Sequence, residues 1–294
     1  MASVYYSTDA SAPVLSGSAG ALVAVLDACL VNGYGSKSSA GWSRPYNSGN
    51  LSAYRPPSGN RFYLRVDDSG TTDARIVAYE AMTGISTGTN PFPTAAQISG
   101  GGYWRKSATA NSTARPWIVV ADATYFYLYA DINAGTVQPL TFFFGDLASY
   151  KSGDGFGTLL YVNTSAASSS ECLGVDNTLF TKSGHYLARA YDQTTLSKAC
   201  GKHGDPRGSA TYVGYSTKIN YPDSTDSALW LGVVAINEAA GAAWTIRGEM
   251  PGLLEPMGDP GATLDTFTGT GDLAGVTYLI LTGYLNARIA LRIS

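Results

Sequence analysis

Residues 61–82, RFYLRVDDSGTTDARIVAYEAM, set two runs of alternating side chains on either side of an acidic, glycine-bearing corner. In the first run Phe62, Leu64 and Val66 fall on one side and Arg61, Tyr63, Arg65 and Asp67 on the other, the period of two that a pleated strand requires. The second run, ARIVAYEAM, reads as the returning strand, so the stretch predicts a β-hairpin. The layout recurs at 117–130, WIVVADATYFYLYA, again with a short Asp-containing turn.

Further strands are predicted at 140–145, 156–163, 185–191, 211–219, 229–237 and 243–248, and the segment GVTYLILTGYLNARIALRIS predicts a terminal hairpin turning near Tyr284 to Asn286. The 34 glycines and 13 prolines supply tight turns, and the 20 tyrosines suit half-exposed pleated surfaces. Together these features predict a mainly β fold: an antiparallel sandwich or Greek-key-like assembly of many short strands.

One segment breaks the pattern. In GSAGALVAVLDACLVNGYG, Leu22, Val25, Leu26, Cys29 and Leu30 recur at helical spacing, predicting one N-terminal helix at about 19–32. Ser16 or Ser18 is the expected N-cap, and Asn32 with Gly33 the stop. Cys29 lies on the apolar stripe, which makes it a small buried hydrophobe rather than a reactive thiol. The expected organisation is an N-terminal arm and helix over 1–40, then a β-rich body over 41–294 forming one large domain, with any subdivision near 164–178. Loops at 83–102 and 164–178 are long enough to carry contacts to neighbours.

Only 14% of residues are charged and the net charge is -3, so the exterior must be largely Ser, Thr, Asn, Gly and Tyr, with no excess of cations to neutralise phosphates. Nucleic acid is not an expected partner. Such surfaces instead suit permanent protein contacts, where charged groups would cost desolvation energy. The longest helical apolar run, ALVAVLDACLV, has 11 residues including Asp27, too short for membrane insertion, which needs roughly 18. MASVYYSTDASAPV lacks the basic and apolar segments of a secretory signal, and Cys29, Cys172 and Cys200 have unrelated spacings, so synthesis in a reducing cytoplasm is expected.

Asp67 and Asp68 are the first candidate site. DDSGTTD lacks the ligand spacing and final Glu of a calcium loop, and adjacent strand residues face opposite sides, so the two carboxylates cannot easily share a proton. Turn chemistry is the expected role, with Asp68 accepting backbone N–H groups and Gly70 taking positive φ. Cys172, His185, Cys200 and His203 are a legitimate zinc donor set in kind, but only Cys200 and His203 have tight spacing, and no metal is expected. No nucleophile elbow, phosphate loop or dinucleotide fingerprint occurs, so neither a catalytic residue nor a cofactor is expected. Tyr125, Tyr127 and Tyr129 share one face of a strand, opposite Phe126 and Leu128. They read either as a surface contact, a sugar-binding platform or subunit interface, or as one covered face of a doubly buried strand.

Several long irregular segments resemble a family of virion structural proteins from tailed bacteriophages: APVLSGSAGALVAVLDACLVNGYG, the stretch from Gly59 to Trp104, ARPWIVVADATYFYLY, FFFGDLASYKSGDGFG and IRGEMPGLLEP, in that order over most of the chain. Many similar proteins carry a small extra β domain after the helix, where this chain has only SKSSA at 36–40, so that connection reads as a tolerant surface link. The resemblance implies a non-enzymatic component of the virion, made in the host cytoplasm and contacting copies of itself and other virion proteins. The expected place is tail, collar or baseplate; the alternatives are a capsid decoration protein, or a surface module binding host receptors or glycans.

Overall fold

The computed structural model describes residues 2–133, 139–168, 184–203, 231–240, 243–256, 262–282 and 288–294. The chain opens with strand β1 (Ser3–Tyr6), then a helix α1 (Ala21–Leu26) that continues as a π-helical turn over Asp27–Asn32. The turn ends at Gly33, whose N–H reaches back five residues to the Ala28 carbonyl and whose φ of 76° favours glycine. The helix therefore spans nearly the predicted range, but its cap differs: Gly20 precedes it and makes no side-chain bond. Asp68, distant in sequence, accepts the Leu22 and Val23 N–H groups instead, at 2.7 and 3.1 Å.

A small antiparallel sheet follows: β2 (Ser43–Ser48), β3 (Leu51–Arg55), β4 (Tyr63–Asp67), β5 (Asp73–Gly84), β6 (Thr87–Phe92) and β7 (Gly102–Arg105). The predicted 61–82 hairpin is β4 and β5, with Leu64 opposite Ala78 and Val66 opposite Ile76, all buried. The long β5 pairs with β7 along its first half and β6 along its second. The 83–102 stretch, expected as a loop, thus contains β6. Glycine packing explains the disguise, because a Cβ at Gly88 would sit 2.4 Å from the Tyr79 ring.

The remaining strands are β8 (Trp117–Ala121), β9 (Tyr125–Asp131), β10 (Pro139–Asp146), β11 (Ala148–Ser149), β12 (Thr158–Tyr161), β13 (His185–Arg189), β14 (Leu196–His203), β15 (Leu231–Ala240), β16 (Ala243–Pro256), β17 (Thr266–Thr268), β18 (Thr277–Thr282) and β19 (Arg288–Arg292). Among the described residues these and β1 form an open antiparallel path, β1-β8-β9-β10-β12-β13-β14-β15-β16-β19-β18-β17, with β11 beside β16. The last four strands, with β16 next to β19, make a Greek key. The predicted strand at 211–219, the turn at Tyr284 to Asn286 and most of 164–178 lie outside the described residues.

Three layers result. Trp42 and Trp104, from the helix-to-sheet link and the small sheet, pack against Phe126, Phe142 and Phe144 on one face of β9 and β10. On the other face the Tyr127 ring packs tilted against Phe143, at 4.8 Å between ring centres, and the Tyr127 hydroxyl donates to the Pro251 carbonyl of β16. Leu253, Leu279, Leu281 and Leu291, from the late strands, join the same core as Leu22, Leu26 and Tyr5. The first forty residues are therefore built into the body, with β1 paired to β8 and the helix packed in the common core. Among the described residues the architecture is a layered antiparallel β-sandwich with one short α-helix, and the path does not close into a barrel.

Candidate functional site

The tyrosine row lies on the face of β9 that the late strands cover. Tyr127 is 1% and Tyr129 5% exposed, so of the expected surface stripe only Tyr125 remains half-buried. The covered-face alternative describes Tyr127 and Tyr129, and the reason is distant: β16 brings Pro251 onto Tyr127 across more than a hundred residues. Two clefts flank the covered tyrosine.

The first, of about 370 Å³, is lined by Tyr125, Asp122, Gly252, Pro251, Arg292 and Ile293 among others. Gly252 adopts φ of 70°, and a Cβ there would approach Arg292 at 3.2 Å and the Tyr125 hydroxyl at 3.6 Å, so the bare backbone keeps this cleft open. The Asp122 carboxylate is engaged by the Thr124 and Tyr125 N–H groups and the Thr124 hydroxyl. Burial, aided by the Asp122 charge and opposed by Arg292, pushes the Tyr125 phenol up to about 12. It is therefore a neutral hydrogen-bonding group at physiological pH. The second cleft, of about 320 Å³, is bounded by Tyr129, Trp117, Ile118, Tyr6, Thr263 and Leu264. Burial raises the Tyr129 phenol as well. Leu264 is 54% exposed and holds φ of 75°, a strained setting for a branched side chain. An aromatic strand with a pocket at each end can take up small polar or apolar groups. Arg292, Gly252 and Leu264 had no local signal in the sequence, because only the folding back of the late strands places them beside β9.

The acidic corner separates into two roles. Asp67 performs the turn chemistry, accepting the Ser69 N–H at 3.2 Å and lying 3.6 Å from Arg65. Asp68 does not, which corrects the turn assignment. It is fully buried, ion-paired with the equally buried Lys106, and caps α1 from the end of β4. Lys106 also donates to the Ser18 carbonyl at 2.7 Å, and the Asp68 carbonyl accepts the Gly20 N–H at 2.8 Å. Burial pushes the Asp68 carboxyl above its ordinary value against the pull of Lys106 and the two N–H groups. The two aspartates do face opposite sides, as alternation requires.

Gly70 also differs from expectation, since its φ is not positive. Its demand is space: a Cβ would fall 2.3 Å from the Asp73 carbonyl oxygen. Gly70→Val is expected to destabilise the chain by about 1–3 kcal/mol through that clash, whereas Asp67→Asn should stay within about 0.5 kcal/mol; urea denaturation of both variants measures the contrast.

Of the cysteine and histidine set, Cys172 and the His203 side chain lie outside the described residues. His185 and Cys200 are directly opposed on β13 and β14, and the His185 ring centre is 4.4 Å from that of Tyr161. Among the described residues no three His, Cys, Asp or Glu side chains group to hold a metal. Cys29 is buried within the core, and burial raises its thiol pKa far above the ordinary value. No protein-family model matches the chain, and no curated protein sequence matches it.

Proposed function

We propose that this chain is a non-enzymatic structural component of a tailed-phage particle, present in multiple copies in the tail, collar or baseplate. The observation that carries the reading is where its scarce charges lie. Asp68, Lys106, Arg115 and Arg247 are buried, and the Asp154 side chain that binds Arg247 is 2% exposed. Glu80 and Arg189 form a further, partly covered pair between the small sheet and β13. A chain with 14% charged residues that turns several of them inward leaves few charges for its exterior. Such an exterior associates over broad areas with little desolvation cost. The likeness of its long irregular segments to phage virion proteins supports the same reading.

Quantitative mass spectrometry of purified particles from the encoding phage tests the proposal. The chain is expected at a fixed copy number, a multiple of the symmetry of the tail or neck, and enriched in isolated tails over emptied heads. Its absence from washed particles would sink the proposal. Enrichment in heads would move it to the shell.

A further inference from the structure

We infer that the outer side of the small sheet binds an acidic polysaccharide, its arginines taking the carboxylates and its tyrosines the sugar rings. Leu64, Val66, Ile76 and Trp104 turn inward to the common core. Alternation and cross-strand register put Tyr46, Tyr63, Tyr79 and Tyr103 on the opposite side. That side also carries Arg55, Arg65, Arg75 and Arg105 against Asp67 and Asp73, a local excess of cations in a chain of net charge -3. These charges are held in place but not neutralised. The Asp67 carboxylate lies 3.6 Å from Arg65, and Asp73 accepts the Thr72 hydroxyl at 2.7 Å and the Ala167 N–H at 3.1 Å. Among the described residues no ion pair forms at Arg55, Arg75 or Arg105. Main-chain carbonyls hold these guanidiniums instead: Arg55 Nε donates to Arg61, Arg75 Nη1 to Ser99 and Gly101, and Arg105 to Ser107 and Ala167. Both Nη groups of Arg55 and Nη2 of Arg75 are left without a partner among the described residues.

Tyrosine rings back the free forks. The Arg75 guanidinium lies 3.8 Å from the centre of the Tyr103 ring and that of Arg55 5.0 Å from the centre of Tyr63, while Tyr46 stacks on Tyr63 with centres 6.3 Å apart. Tyr79 opposes Tyr63 on the next strand, and all four tyrosines are half-buried. Planar cationic forks set among half-open rings match a chain in which carboxylates alternate with the apolar faces of sugars. A guanidinium takes a carboxylate through two parallel N–H bonds, and a tyrosine covers sugar C–H groups while its hydroxyl meets sugar hydroxyls. Charge decides between the possible occupants. A nucleic acid carries a phosphate at every nucleotide and calls for more cations than a chain of net charge -3 presents. A second copy docked two-fold through this side would set arginine against arginine. A polysaccharide with one carboxylate on every second sugar is complementary in both sign and spacing. The inference does not rest on the particle proposal, and either can fail alone.

The test is binding of the full chain at neutral pH to end-immobilised hyaluronan and unsulfated chondroitin, with neutral dextran and an oligothymidylate alongside, read by biolayer interferometry. Saturable binding to the acidic polysaccharides is expected, weakening as salt is raised, with none to dextran. The double variant Arg55→Gln/Arg75→Gln should bind roughly tenfold more weakly, whereas Lys151→Gln, beyond β11, should bind as the wild type does. Binding to neither acidic polysaccharide overturns the inference, as does equal binding to dextran or a folded double variant of undiminished affinity. Tighter binding to the oligothymidylate at the same salt gives the surface to nucleic acid and also overturns it. Should the double variant fail to fold, Arg55→Gln alone gives up a single bond to the Arg61 carbonyl, and it must still weaken binding.

Discussion

Lys106→Met is expected to destabilise the folded chain by roughly 3–5 kcal/mol at neutral pH, the usual consequence of removing one member of a buried ion pair. Methionine keeps most of the lysine stem, so packing loss is a minor part of that figure. What remains is Asp68, fully buried at the end of β4 with two helix N–H donors and no cation. The pH dependence identifies the cause. Burial already holds the Asp68 carboxyl above its ordinary value of 3.8 in the presence of Lys106, and removing the ammonium drives it higher. A carboxyl with a raised folded pKa contributes stability that is present at acid pH and lost as pH rises through the folded value. The variant should therefore recover stability as pH falls towards 3.8 from above. Adding Asp68→Asn should restore most of the loss at neutral pH, because the amide oxygen still caps Leu22 and Val23 and no charge is left unpaired. Urea unfolding of the wild type and both variants between pH 4 and 8 measures all of this. A Lys106→Met variant as stable as the wild type at pH 7 would show that the pair contributes no net stability.

The Asp68 case shows what the local sequence conveys and what it does not. Alternation put Leu64 and Val66 on one side of the strand, the side that is buried, and Asp67 on the other, because those placements depend on the strand's own period. The fate of Asp68 depends on Ser18 and Lys106, fifty and thirty-eight residues away, and no nearby residue announces either. The tyrosine row follows the same logic. Its spacing correctly puts Tyr127 and Phe126 on opposite faces, but whether the tyrosine face meets water is decided by Pro251 and Arg292, contributed by the Greek key at the far end of the chain. Strand β2 escaped notice for another reason. SRPYNS lies at a sheet edge with both faces largely exposed, so no apolar alternation was required of it, and Pro45 sits where an edge tolerates a missing donor.

A second buried pair gives the opposite response to acid. Asp154 receives Arg247 in a two-pronged contact, Nε to one oxygen and Nη2 to the other, each at 2.7 Å. The Ser149 hydroxyl and the Phe156 N–H complete the shell, joining the 149–156 turn to β16. Burial works to raise the carboxyl, but the Arg247 and Ser149 hydrogen bonds, the guanidinium charge and the Phe156 N–H hold it below the ordinary 3.8. A depressed folded pKa contributes stability that is fully present above 3.8 and lost as pH falls through the folded value. Asp154→Asn should thus cost roughly 3–5 kcal/mol at neutral pH, since it removes the carboxylate that both Nε and Nη2 of the wholly buried Arg247 engage. Arginine stays protonated throughout the accessible range, so the Arg247 charge persists in the variant. Its deficit relative to the wild type should narrow only below pH 3.8, where the unfolded wild type begins to bind a proton at Asp154 while the folded carboxylate still resists it. The Lys106→Met deficit narrows above that pH. Two variants at buried aspartates that converge on the wild type from opposite sides of one pH would tie each loss to its own carboxyl; a deficit of Asp154→Asn that stays constant down to pH 2 would assign it to packing instead.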